Sequence, residues 1–376
     1  MMFKRKKLFR TKGKINNIIS KYNTAKFMLR FLKDRKLLFR LLRGYCRVNY
    51  LRKNQLRFVE LFVTMACNAK CDFCSNGLYT SNASSLSLEK YLSIIDECAR
   101  LDVPHICLIG GEPLLYKHLN VLTRRINSHG ILSMVATNGY LLTEERVREL
   151  AKNGLKFIVC SLLSTDETEH DNIMRLKGCY RHIFEAKKYC EEYGIQFGLA
   201  TVLKHSDFHN GNFEKIIDLA VLTRTWLSIN PLIPTGYAIN QCQDTLTAED
   251  MSRLNEVSQS NIYVSTHLTN NYFGFGCPAG NAYLGVTASG DIMPCFFFPV
   301  SLGNINNMTL REAWQKILKS QLFKKKYKMC IAGNSHKFIN EYLLPIFKNE
   351  TIPMPIESHP KFDMERMCLK DISEID

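Results

Sequence analysis

Between Arg57 and Ile229, short apolar runs alternate with segments of helical period six times over. Arg57–Val63, Ile106–Ile109, Ile131–Ala136, Phe157–Leu162, Ile195–Val202 and a run from Trp226 read as strands. Leu88–Leu101, Asn120–His129, Thr143–Asn153, Tyr180–Tyr193 and Phe213–Leu222 read as the helices between them. Thr143 opens its helix, with Glu144 and Glu145 suited to the positive end. Strand-helix alternation predicts parallel neighbours joined by right-handed crossovers. Six units make an open or partial (β/α)6 barrel of TIM type, whose chemistry sits at the C-terminal ends of the strands. Polar and glycine-rich motifs follow each of the first four strands. Past Gly236 the alternation stops, and a smaller α+β region is expected.

Fourteen cysteines first suggest a secreted disulfide scaffold. Against it, 376 residues with 46% apolar composition can bury their own core. The start, Met-Met-Phe-Lys-Arg-Lys-Lys, lacks the apolar stretch of a secretory signal. No apolar run reaches the ~18 residues that span a bilayer. A reduced, cytoplasmic protein is expected. The net charge of +15 is unevenly placed. Residues 1–57 hold 19 of the 50 Lys and Arg but one of the 35 acids, Asp34, so they carry +18 and the rest −3. From Thr24 to Tyr45, Met28, Phe31, Leu32, Leu38, Phe39, Leu42 and Tyr45 share one helical face. Such a basic amphipathic helix can pack on the barrel, lie on an anionic membrane at the inner face, or track phosphates. A nucleic-acid partner is the least expected of these.

The first strand runs into Cys67-Asn68-Ala69-Lys70-Cys71-Asp72-Phe73-Cys74. Three thiolates on one tight loop can hold three irons of a 4Fe–4S cube. Zinc would want a fourth ligand close by, and the nearest His in the sequence is His105, on another unit. Gly110-Gly111-Glu112-Pro113 follows strand two, Thr137-Asn138-Gly139 ends strand three, and Ser161 ends strand four, with His170, Asp171, Arg175 and Lys177 beyond. Together these motifs resemble the radical S-adenosylmethionine (radical SAM) superfamily. The resemblance implies that Cys67, Cys71 and Cys74 ligate the cluster and that SAM binds its open iron. It further implies that Phe73, Gly110, Gly111, Glu112, Asn138, Ser161 and Arg175 line the cofactor site. The glycines would admit the ligand, Glu112 would accept from the methionine amine, Ser161 would meet the ribose, and Arg175 or Lys177 the carboxylate. Leu162-Leu163 stands where Asp-Gly is common in relatives. The implied activity is reductive cleavage of SAM to a 5′-deoxyadenosyl radical that abstracts hydrogen from a substrate. His170 and Asp171 read as solvated loop.

Farther on, Cys277-Pro278-Ala279-Gly280, a hairpin turning at Gly290, Cys295, Gly303-Asn304-Ile305 and a helix carrying Trp314 resemble the SPASM/twitch auxiliary-cluster domain. A second 4Fe–4S cluster is then expected on Cys277 and Cys295, with Cys330 third and Cys368 fourth; His336, a water or a substrate are alternatives to Cys368. The implied organisation is a basic extension at 1–56, a radical SAM partial barrel at 57–236, an auxiliary domain at 237–335 and a tail at 336–376. The auxiliary cluster would aid oxidation or bind substrate, and a flavodoxin or ferredoxin would supply electrons. The class, oxidoreductase or transferase, stays open. Residues 1–56 do not look like the peptide-recognition module of peptide-modifying (RiPP) maturases, which leaves a small-molecule or lipid-linked substrate ahead of a peptide. From another class, an RNA-binding iron–sulfur or zinc module without SAM chemistry is the alternative. The remaining cysteines, Cys46, Cys98, Cys107, Cys160, Cys179, Cys190 and Cys242, read mostly as small core residues.

Overall fold

The computed structural model describes residues 34–51, 53–77, 79, 85–266, 276–324, 327 and 329–370. Six strands with the predicted spacing form: β1 (Phe58–Thr64), β2 (His105–Gly110), β3 (Leu132–Thr137), β4 (Phe157–Ser161), β5 (Gln196–Leu203) and β6 (Trp226–Pro231). They lie in sequence order and pair in parallel throughout. Between them run α2 (Leu88–Arg100), α3 (Leu119–Ser128), α4 (Glu144–Lys152), α6 (Cys179–Glu192) and α7 (Asn212–Leu222). A helix the sequence reading took as loop, α5 (Glu167–Met174), precedes α6 and is capped by Asp166. Its three acids and weak apolar stripe hide it from a periodicity search.

The sheet extends beyond the six strands at both edges. β7 (Val264–Thr266), which follows α8 (Ala248–Ser260), adds beside β6. At the other edge β8 (Tyr283–Val286) pairs in parallel with β1, and β9 (Ile292–Met293) pairs antiparallel to β8. The hairpin at Gly290 therefore forms as expected, but its first strand joins the barrel's own sheet. α9 (Leu310–Lys319) carries Trp314 and starts with a Thr309–Glu312 capping box. The 336–376 stretch, expected as a tail, is packed as far as residue 370. Phe338 and His359 ring Phe298, and His359 Nε2 meets Tyr342 O at 2.8 Å. β10 (Val300–Ser301) pairs with β11 (Met354–Pro355), and β12 (Phe362–Asp363) with β13 (Cys368–Leu369).

Side chains alternate across each strand. Val59, Leu61 and Val63 of β1 face the helices and are fully buried. Phe58, Glu60 and Thr64 face the interior and are only half-buried. Met134, Ser161, Gln196 and Trp226 are likewise half-buried, in strands flanked on both sides. The inward faces thus mix half-buried side chains with fully buried ones such as Phe62 and Cys107, whereas the shell between strands and helices is buried core throughout.

α1 (Arg35–Asn49) closes the end of the barrel opposite the strand C-termini. Asp34 caps it by accepting from Leu37 N–H at 3.1 Å. Leu37, Leu41 and Gly44 pack inward, and each buried leucine contributes about 1.5–3 kcal/mol. Arg40 donates to Ala99 O, His129 O and Gly130 O, the carbonyls at the ends of α2 and α3, where a cation is favoured. Arg40, Arg43 and Arg47 all converge on Asp102, which is 8% exposed. The inward face thus differs from the predicted one: Leu38 and Tyr45 are half-buried while Phe39 and Leu42 point to solvent. Met28, Phe31 and Leu32 lie outside the described residues.

Candidate active site and cluster-binding loops

β1 delivers the Cys67–Cys74 loop to the C-terminal face of the sheet, and segments following β2, β3, β4 and β6 hold it there. Gly111 N–H donates to Thr64 O and Glu112 N–H to Ala66 O, both at 2.8 Å. Asn76 Nδ2 donates to Gly110 O at 3.2 Å. Asn138 Nδ2 donates to Asn68 Oδ1 at 2.7 Å. Lys70 N–H donates to Met174 O at 3.2 Å, and Cys71 Sγ lies 3.5 Å from Met174 Sδ. Tyr237 N–H donates to Cys74 O at 3.0 Å. That last strap depends on Gly236, at φ +55°, where a Cβ would stand 2.1 Å from Cys74 O. Sequence reasoning missed Gly236 and Tyr237; the Pro234-Thr235-Gly236 turn after the sixth strand was the available signal.

The predicted cofactor residues also hold the loop in place. At Gly110 and Gly111 a Cβ would stand 2.1 Å from Thr64 O or 2.4 Å from Ala66 O, so glycine there lets the chain itself approach. Glu112 is fully buried, and its Oε1 accepts from Leu114 N at 3.0 Å and Thr137 Oγ1 at 2.7 Å. Its Oε2 accepts from Asn138 N at 2.9 Å. Burial pushes the Glu112 carboxyl up, and these donors oppose that push. It therefore knits β2 to β3 and, through Asn138, to the cysteine loop. Arg175 ends α5 in the left-handed region and ion-pairs with Asp72 inside the loop. Ser161 is half-buried at the C-terminal end of β4, opposite Ala200 of β5. Phe73 is half-buried against the core, and Lys177 is exposed.

His170, expected in solvent, is fully buried: its Nδ1 accepts from Leu163 N at 3.2 Å and burial lowers its pKa to about 4. Asp171 accepts from Tyr180 N at 2.9 Å and from Gly178 N, holding the start of α6. Of the other cysteines, Cys98, Cys107, Cys160, Cys179 and Cys190 are buried, Cys242 is half-buried and Cys46 is exposed, which corrects the core expectation at Cys46.

Cys277, Cys295 and Cys330 converge on one cavity walled by Ala279, Phe298, Phe323 and Phe338. Cys368 does not line it; it lies 6% exposed in the β12–β13 hairpin. His336 is also absent from the lining. Among the described residues, only His205, His209 and Asp250 bring three metal-ligating atoms within 4.8 Å of one another. The two cysteine triads are wider than that, whereas three ligands at about 2.0–2.3 Å from one zinc lie closer together. A larger, thiolate-held inorganic core such as a 4Fe–4S cube fits both donor sets. Burial pushes the thiols up, Cys71 and Cys330 to about 12 and Cys277 to about 11, with neighbouring cysteines adding to it at Cys71 and Cys330. A bound cation favours the thiolate form against that push.

Two further features escaped the sequence reading. Tyr79 donates to Phe296 O at 3.2 Å, and burial, with Cys295 and Cys74 adding to it, raises its pKa. It thus feels a cysteine of each set. Glu60 is the sole carboxyl in the parallel strands and faces the barrel interior, level with Gly285, Cys107, Met134 and Phe157. Tyr283 of β8 donates its hydroxyl to Glu60 Oε2. The surrounding protein raises the Glu60 pKa to about 7, against the opposing Tyr283 bond. Both were invisible because neither belongs to a motif; each acquires meaning from its place in the barrel.

Residues 61–220 match the model of the radical SAM superfamily, and residues 277–333 match the iron–sulfur cluster-binding domain SPASM. An AdoMet-dependent heme synthase of Methanosarcina barkeri is 25% identical over 304 residues, covering 72% of this chain and 85% of that protein. A PqqA peptide cyclase of Rhizobium meliloti is 26% identical over 276 residues, covering 67% and 72%. The crystal structure of Streptococcus suis SuiB bound to S-adenosylmethionine superposes with a TM-score of 0.60 at 21% identity, covering 85% of this chain and 81% of that one. With both segments matched in this order on a sheet of this topology, the chain belongs to the radical SAM superfamily and carries a C-terminal SPASM domain.

Proposed function

We propose that Cys67, Cys71 and Cys74 hold the SAM-binding cluster and that the substrate reacts at the barrel face beside it. SAM and 4Fe–4S clusters are the cofactors of this radical SAM and SPASM architecture. When bound, they supply a 5′-deoxyadenosyl radical able to take a hydrogen atom from a carbon. The observation that carries the assignment is the cysteine loop strapped from four sides at the C-terminal face of the sheet. The straps fix the loop's position, and the apolar shell excludes water from the reacting space. Cys277, Cys295 and Cys330 would hold the auxiliary cluster. In this reading the reaction is an oxidation in which Glu60, its carboxyl held by Tyr283, would take a proton from the substrate carbon; the groups held at Cys67, Cys71 and Cys74 and at Cys277, Cys295 and Cys330 would supply the hydrogen-atom acceptor and the electron acceptor.

A peptide is the substrate class best supported by the relatives, since PqqA peptide cyclase and SuiB, crystallised with precursor peptide SuiA, name peptides. That reverses the preference for a small-molecule or lipid-linked substrate drawn from residues 1–56. Anaerobic reconstitution with SAM and dithionite, followed by mass spectrometry, should yield 5′-deoxyadenosine. Cys71→Ala should abolish it, and wild-type yield from that variant would remove the assignment. Short peptides encoded beside the gene should stimulate turnover if the peptide assignment holds.

A further inference from the structure

α1 has two apolar sides, and only one is used by the fold. Leu37, Leu41 and Gly44 face the barrel. On the opposite side, Phe39, Leu42, Cys46 and the capping Tyr50 recur at helical spacing and are exposed. Phe39 is 65% exposed, Leu42 45%, Tyr50 74% and the following Leu51 61%. Four of the thirteen exposed large apolar side chains among the described residues thus cluster on this one short segment. Arg35, Lys36, Arg43 and Arg47 are exposed beside or within the stripe. Asp102 is shared by Arg40, Arg43 and Arg47, so three cations meet one carboxylate and positive charge remains in excess.

We propose that this outward side of α1 docks on an anionic lipid bilayer. In sequence, residues 1–57 carry +18 against −3 for the rest of the chain, and within the described segment 34–51 Arg35, Lys36, Arg40, Arg43 and Arg47 stand against Asp34 alone. Apolar side chains can enter the headgroup boundary while the basic side chains meet lipid phosphates. A phosphate-tracking arm needs no outward Phe39 and Leu42, so nucleic acid accounts for only half of the observation. Because α1 contacts the carbonyls ending α2 and α3, the bilayer would lie under the barrel's closed end. The cysteine loop, at the strand C-termini, would then face away from the membrane. Docking is independent of the catalytic assignment, since none of these residues touches the cysteine loops.

The test is co-sedimentation of the full-length, cluster-loaded protein with vesicles of phosphatidylcholine alone or with about one third phosphatidylglycerol. Binding should require the anionic lipid and weaken with salt without vanishing. Phe39→Ser with Leu42→Ser should weaken it at least tenfold at an unchanged melting temperature, because both side chains are solvent-facing. Phe39→Trp should keep binding and shift its emission to the blue on anionic vesicles. Equal binding of the Ser double variant and the wild type would overturn the proposal, as would equal binding to neutral vesicles. Complete displacement from vesicles by RNA together with indifference to the Ser changes would assign the charge to nucleic acid instead.

Discussion

Glu60→Gln isolates the one carboxyl in the barrel interior. In the folded protein Glu60 ionises near pH 7, against 4.5 ordinarily, because the surrounding protein penalises its charge. Between those two values the folded state retains a proton that the unfolded chain has released. Stability from this group is therefore full below pH 4.5 and is lost as pH rises through 7. From pH 5.5 to pH 8 the loss is about 2 kcal/mol, at 1.4 kcal/mol per pH unit over the part of the window crossed. Burial keeps the Tyr283 phenol protonated, so it adds no slope, whereas His105, lowered to about 3, adds an opposite slope below pH 6.5 that is common to wild type and variant and cancels in their difference. Gln keeps an acceptor for the Tyr283 hydroxyl and cannot titrate. Urea unfolding of wild type and variant, both cluster-loaded, should show the variant gaining about 2 kcal/mol relative to wild type on going from pH 5.5 to pH 8. A stability difference that is the same at both pH values would refute the interior titration. The variant should also form less product with substrate present, since it cannot take the proton.

Four other outcomes follow from named contacts. A variant lacking Cys67, Cys71 and Cys74 should retain about four irons per chain, one cube's worth. Adding Cys330→Ala should remove them and adding Cys368→Ala should not, read by iron analysis and absorbance near 400 nm, as for thiolate-bound clusters. Gly236→Ala sets a Cβ against Cys74 O at a left-handed residue, so iron at the first loop should fall while the auxiliary iron stays. Asp102→Asn keeps the left-handed backbone but removes the charge under three arginines, and should cost about 1.5–3 kcal/mol by thermal unfolding, with earlier proteolysis at α1.

The six strands and five of their helices were legible in the sequence because hydrophobic period is local: 2 for a strand, 3.6 for a helix. Cys67, Cys71 and Cys74 were legible because three thiols within eight residues have few uses. Cys277 and Cys295 followed from a hairpin whose turn is written at Gly290. What tertiary structure decided is what depends on two distant segments meeting. β8 could have closed a separate sheet, but the open edge of β1 offered unpaired backbone groups, and β8 took it. Glu112 was legible as an acceptor, but that it also takes Thr137 Oγ1–H and Asn138 N–H was decided by adjacent parallel strands ending side by side. α1 reads as one amphipathic stripe in sequence, yet Leu37 and Leu41 went inward, because Asp102 and the carbonyls ending α2 and α3 set its rotation through Arg40. Spacing states which side chains can share a face. Which of them is buried depends on the surface the chain brings against that face, and only the folded molecule holds that surface.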